Sequence, residues 1–106
     1  MKENIKPIIE EFKTRLRELY GKKLKNIILY GSWARGDARE HSDIDLAVLL
    51  EGEVNQGREI DRMIEIITDL QLRYNTLISV YPVSMKNYRS INSPLLMNVH
   101  REGIPA

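Results

Sequence analysis

The chain contains no cysteine. That excludes disulfides, thiolate metal sites and a cysteine nucleophile, and it fits a reducing compartment, so a cytoplasmic protein is the expectation. Charge of one sign is also missing in excess: 16 Lys and Arg against 15 Asp and Glu leave a formal net charge of +1. So balanced a chain offers no general attraction to a polyanionic backbone, and strong nucleic-acid binding is not expected. Long apolar runs are absent as well. The first nineteen residues, MKENIKPIIEEFKTRLREL, are broken by charges every few positions and read neither as a signal peptide nor as a membrane span. There is no internal repeat and no low-complexity segment. A length of 106 residues suffices for one core and not for two, so a single domain over 1–106 is expected.

What is present is a clear periodicity. Ile5, Ile8, Ile9, Phe12, Leu16, Leu19 and Tyr20 recur at helical spacing and predict an amphipathic helix over 4–20, with Asn4 as its cap and Gly21 as its stop. Both signs of charge mix on its polar face, which favours packing on a sheet over lying on a membrane. The isoleucine-rich run 24–30 reads as a first strand and 43–50 as a second. A polar turn over 51–57 leads to a helix over 58–74, with Ile60, Met63, Ile64, Ile67, Leu70 or Gln71, and Tyr74 facing inward. That helix acts as a crossover carrying a third strand, 76–83, into the same sheet. Residues 84–89 form a turn or short helix. Ser93-Pro94 opens a last helix over 95–102, closed by Gly103, and 104–106 is a frayed tail or a contact. The sum is an α/β (α+β) fold: a small mixed sheet, helices packed on one face, and an open edge.

The stretch from Tyr30 to Leu50, YGSWARGDAREHSDIDLAVLL, carries the chemistry. Asp43 and Asp45 share one face at the start of a strand, about 6.6 Å apart along the backbone, while Ile44, Leu46 and Val48 face the other way. Two unit charges at such a distance repel by roughly 3 kcal/mol at an effective dielectric near 20, which a cation offsets. Hard carboxylate oxygens suit Mg²⁺ or Mn²⁺. Gly31 permits a sharp turn after the first strand, Ser32 is placed to cap the turn after it, and the freed N–H groups form an anion seat within reach of the Arg35 fork. Trp33 is expected to pack against the sheet rather than stack on a base, and His41 to be solvent-exposed. Ser42 is read either as bonding backbone or as meeting a substrate phosphate.

Gly31-Ser32, ten intervening residues, then Asp43-Ile44-Asp45, with Ala34-Arg35-Gly36 and Ser42 between them, resembles the GSxARG…SDIDLxV motif of minimal nucleotidyltransferases, the MNT branch of the DNA polymerase β superfamily. The resemblance implies a metal-dependent enzyme that moves a nucleoside monophosphate, AMP from ATP being the expected case, to a hydroxyl acceptor. It implies Asp43 and Asp45 as catalytic metal ligands for Mg²⁺ (or Mn²⁺), and Gly31, Ser32, Arg35 and Ser42 as nucleotide-binding residues. It also implies a HEPN-domain ribonuclease as partner, with this chain as antitoxin; so small a domain with an exposed site is further expected to work in a homo- or hetero-oligomer.

One departure from that family pattern stands out. Active members carry a third carboxylate on the third strand, whereas Thr76-Leu77-Ile78-Ser79-Val80-Tyr81 holds no acid, and Ser79 or a neighbour takes its place. Glu51 is no substitute, since six strand residues put it about 20 Å from Asp45; Asp37 or Glu40 in the loop, a partner's acid, or the substrate's own phosphates remain. Three readings stay open: an active nucleotidyltransferase; a catalytically weakened MNT-type module that neutralises its partner by contact; and a purely structural arrangement in which Asp43 and Asp45 cap a loop and pair with Arg35 or Arg39.

Overall fold

Two apolar strands, each hydrophobic on both sides, decide the architecture. In the computed structural model, which describes residues 4–90 and 93–106, β1 (Leu24–Tyr30) pairs antiparallel with β2 (Ile44–Leu50), setting Ile28 opposite Ala47 and Tyr30 opposite Asp45. Ile27, Leu29, Ile44, Leu46, Val48 and Leu50 belong to one core cluster; Ile28, Tyr30, Ala47 and Leu49 belong to another. Alternate residues of a strand point to opposite faces, so the sheet has a core on each side. β3 (Ile78–Ser84) lies parallel to β2, and β4 (Ile104–Pro105) runs antiparallel to β1, giving the order β3-β2-β1-β4.

The mixed sheet agrees with expectation. The placement of helices on one face does not. On the first face α1 (Lys6–Tyr20) and α3 (Gln56–Tyr74) bury Phe12, Leu16, Met63 and Leu70; on the second, α5 (Pro94–Glu102) buries Leu96 and Val99, with Met85 and Tyr88 of α4 (Met85–Ser90) beside them. A bare second face would leave Ile28, Ala47 and Leu49 in water, at about 25 cal/mol for each Å² of apolar surface. Of the two expectations for the tail, the contact holds: Ile104 and Pro105 pair with Leu29 and Ile28, and the Ala106 N–H donates to the Ile27 carbonyl at 2.9 Å.

The helices themselves differ in detail from the periodic reading. α1 has Ile5 rather than Asn4 at its N-cap and no side-chain cap; Pro7 sits in its first turn, where a missing N–H is harmless. Gly21, at φ +57°, ends it as expected. In α3 the buried stripe is Glu59, Met63, Ile66, Ile67 and Leu70, while Ile64 and Tyr74 are 47% and 37% exposed. Asn55 starts this helix two residues earlier than expected, its Oδ1 accepting from the Arg58 N–H at 3.0 Å. Glu59, buried, accepts from the Tyr20 hydroxyl at 2.8 Å, which pins the rotation of α3 against α1. Burial, then that hydrogen bond, pushes the Tyr20 phenol well above its ordinary pKa.

The facing of α1 is tested by a pair of truncations. Leu16 is fully buried and Leu19 is 43% exposed; Leu16→Ala is expected to cost about 2–5 kcal/mol and Leu19→Ala under about 1 kcal/mol in urea unfolding. Equal losses would contradict the packing described.

Candidate functional site

β1 ends in a turn that only glycine fits. Gly31 has φ +77°, and a Cβ built on it would stand 2.2 Å from Asp45 Oδ2, so the Asp45 carboxylate lies against the bare backbone of the turn. The chain then enters α2 (Ser32–Arg35), with the Ala34 and Arg35 N–H groups donating to the Gly31 carbonyl at 3.1 and 3.0 Å. Ser32 is therefore the first helical residue and not the cap it was expected to be; Gly31 holds that position. Gly36, at φ +86°, ends the turn. Trp33 is buried, as expected, and its Nε1–H donates to the Ser42 carbonyl at 3.0 Å. Ser42 Oγ accepts from the Arg39 N–H at 2.8 Å. These bonds fold the loop back onto α2 and deliver Asp43 to the start of β2.

Asp43, exposed, immediately precedes β2, and Asp45 is half-buried within it. The β3 register sets Ser79 beside Asp45, so the residue next to the aspartate is an exposed serine on an acid-free strand. Among the described residues neither aspartate forms a salt bridge, which overturns the reading that pairs them with Arg35 or Arg39. Arg35 instead holds Asp37 Oδ2 at 3.2 Å through Nε, and Glu102 Oε2 at 3.1 Å. Asp37 is thus engaged away from the acid pair.

The electrostatics follow from this layout. Burial first, then the charges of Asp43 and Glu102, push the Asp45 carboxyl above its ordinary pKa, with Arg35 opposing. The neighbouring Tyr30 phenol is pushed up to about 12, by burial and then by Asp45, Tyr81 and Glu102, so it stays protonated at neutral pH. Two neighbouring acids, of which Asp45 is disfavoured in its charged form by burial and by the acids around it, form a donor set suited to a hard divalent ion. Among the described residues no three acids, histidines or cysteines stand close enough to hold an ion unaided. Asp43 and Asp45 fit an ion whose remaining ligands come from water and phosphate.

At the site Asp43 is exposed and Asp45 half-buried. A cleft lined by residues such as Glu51, Val54, Ser84 and Arg89 lies at the far ends of β2 and β3, about 20 Å from Asp45 by strand rise.

Residues 9–96 match the nucleotidyltransferase domain family. The chain belongs to that family. A protein of Methanocaldococcus jannaschii that carries the name protein adenylyltransferase is 38% identical over 101 residues, covering 94% of this chain and 95% of its own length. A solved structure described as a minimal nucleotidyltransferase superposes with a TM-score of 0.63 at 25% identity, over 98% of this chain and 94% of that one. A chain from the complex of a tri-AMPylated Shewanella oneidensis HEPN toxin with its MNT antitoxin shares the fold, with a TM-score of 0.58 at 24% identity over 96% of this chain and 67% of that one.

One residue of this nucleotidyltransferase's site escapes sequence reasoning. Glu102, the last residue of α5, accepts from the Gly31 N–H at 2.9 Å and sits over the turn. Its place depends on α5 covering the second face and on β4 pairing with β1, neither of which leaves a local pattern.

Asp45 gives a stability test with a definite sign. Its pKa is raised on folding, so the folded protein takes up that proton more readily than the unfolded chain, and the ionised form opposes folding as pH rises through the carboxylate range. Asp45→Asn in EDTA at pH 7 is expected to raise the melting temperature by about 2 °C or more, as a fraction of a kcal/mol does in a domain of this size. Added Mg²⁺ should raise the melting temperature of the wild type and not of the variant. A lowered melting temperature for the variant, or an equal response to Mg²⁺, would contradict the assignment.

Proposed function

We propose that this nucleotidyltransferase moves AMP from ATP to a hydroxyl of a protein partner, with Asp43 and Asp45 holding Mg²⁺ (or Mn²⁺). The observation that carries the reading is the contact between the Gly31 turn and the Asp45 carboxylate: a Cβ at Gly31 would lie 2.2 Å from Asp45 Oδ2. The groups suited to the phosphates and those suited to their counter-ion are therefore adjacent. An attacking hydroxyl oxygen forms the new bond to the α-phosphorus as the bond to pyrophosphate breaks, and the hydroxyl proton leaves to solvent. A bound ion supplies charge neutralisation across the phosphates. Gly31, Ser32 and Arg35 grip the phosphate chain, and Ser42 braces the loop that presents Asp43. Positioning does most of the work, as in phosphoryl transfer generally.

The acceptor we assign to a HEPN-domain partner, with this chain as the antitoxin of a pair. Support comes from the fold shared with the antitoxin complex and from the relative named for protein adenylylation. A second reading is favoured by one feature: Ser79 stands beside Asp45 on a strand without an acid. On that reading catalysis has weakened and the partner is neutralised by contact.

Incubation with α-labelled nucleoside triphosphates, Mg²⁺ and a HEPN-domain protein separates the two. Label from ATP should reach the partner, and Asp43→Asn or Asp45→Asn should slow transfer at least about 100-fold, a loss of about 2.7 kcal/mol in transition-state stabilisation. No transfer by the wild type, or variants indistinguishable from it, would overturn the catalytic reading. Neutralisation that survives both substitutions would establish the contact reading.

A further inference from the structure

The groups assigned above to the phosphates already hold an anion of the protein's own. The Gly31 N–H donates to Glu102 Oε1 at 2.9 Å, and Arg35 Nη1 lies 3.2 and 3.1 Å from the two oxygens of the same carboxylate. The Glu102 side chain is 14% exposed and that of Arg35 is 47% exposed, so the carboxylate is sunk and the guanidinium stands over it. Arg35 also holds Asp37 through Nε. One positive charge against two negative ones leaves this trio at −1, and an arginine so placed presents no net positive charge to an incoming phosphate.

The backbone at Glu102 is held there by its neighbours in the chain, leaving the side chain free to turn. The Gly103 N–H donates to the Val99 carbonyl at 2.9 Å, and a Cβ at Gly103 would stand 2.3 Å from that carbonyl oxygen and 2.5 Å from Ile28 Cγ2. β4 then pairs with Leu29 and Ile28 of β1. The junction between α5 and β4 is thus pressed against β1, just before the strand gives way to the Gly31 turn.

We infer that Glu102 is a specificity-determining residue of the nucleotide site, an internal carboxylate seated where a substrate phosphate binds and displaced by it. The inference rests on the nucleotide reading above. Free phosphate, repelled by the trio and by Asp43 and Asp45, competes poorly. A polyphosphate that arrives with a divalent cation neutralises the acid pair, and it gains both the Gly31 N–H and the Arg35 fork when Glu102 swings away. Removing the charge of Glu102 therefore tightens binding of phosphorylated ligands, the reverse of what loss of a brace would do.

Isothermal titration with Mg²⁺ and α,β-methylene-ATP, whose α–β bridge resists cleavage, tests this on wild type, Glu102→Gln and Glu102→Ala. The glutamine keeps the shape and an acceptor for the Gly31 N–H, and thermal melts verify that it folds. The dissociation constant should fall about tenfold in Glu102→Gln, as expected when a charged hydrogen-bonding competitor is replaced by a neutral one. Adenosine, which lacks phosphate, should bind wild type and variant alike. Unchanged or weaker binding of the analogue by folded Glu102→Gln would overturn the inference and leave the nucleotide reading standing. Absence of binding by wild type and both variants would overturn the nucleotide reading, and this inference with it.

Discussion

The structure depends on one close approach, the Asp45 carboxylate lying against the backbone of Gly31. It arises from the pairing of β1 with β2, which sets Tyr30 opposite Asp45 and so brings the end of one strand to the beginning of the next across the whole intervening loop. A one-residue slip in that register would turn Asp45 to the opposite face, among Leu46 and Val48. The apolar residues on both sides of the two strands prevent the slip, because each face has its own core. The fold thus stabilises a carboxylate position that is itself unfavourable, and the unfavourable term is what a divalent cation relieves.

The second face of the sheet serves the site as well as the core. α5 buries Leu96 and Val99 there, and its final residue reaches the Gly31 turn. The result is a short line of charges, four acids and one arginine: Asp43 and Asp45, then Glu102, Arg35 and Asp37. It is rich in acid around a single arginine within bonding distance of two of them. Such a surface attracts cations before anions, which suits the proposed reaction, whose substrate would be a metal complex of a polyphosphate. Ser79 beside Asp45, in place of an acid, moderates that negative field on the β3 side.

Much of this was legible in the sequence because it is local. The two strands, the sharp turn at Gly31, the buried Trp33 and the adjacent acids come from glycine conformation and period-two patterning within twenty residues. The rotation of α3 was legible in part: Met63, Ile67 and Leu70 face inward as their spacing predicts, but Ile64 and Ile66 are equally apolar, and the choice between them falls to a distant contact, the bond from Tyr20 to Glu59. β4 was hidden for another reason. A two-residue strand containing Pro105 has no propensity of its own, and it forms only because Gly103 admits the chain against Ile28. Glu102, carried by that junction, was invisible for the same cause, and the third-strand residue beside Asp45 could be named as Ser79 only in outline until the parallel register was known.

The central claim, that a divalent cation is seated on Asp43 and Asp45 next to the Gly31 turn, is tested most directly by titrating Mn²⁺ and α,β-methylene-ATP into isotopically labelled protein and mapping paramagnetic broadening of the backbone amides. Broadening should centre on Gly31, Asp43, Asp45 and Ser79, and should be abolished by Asp45→Asn. Broadening centred instead on the acidic residues Glu51 and Glu53 at the far end of β2, or untouched by that substitution, would contradict the account.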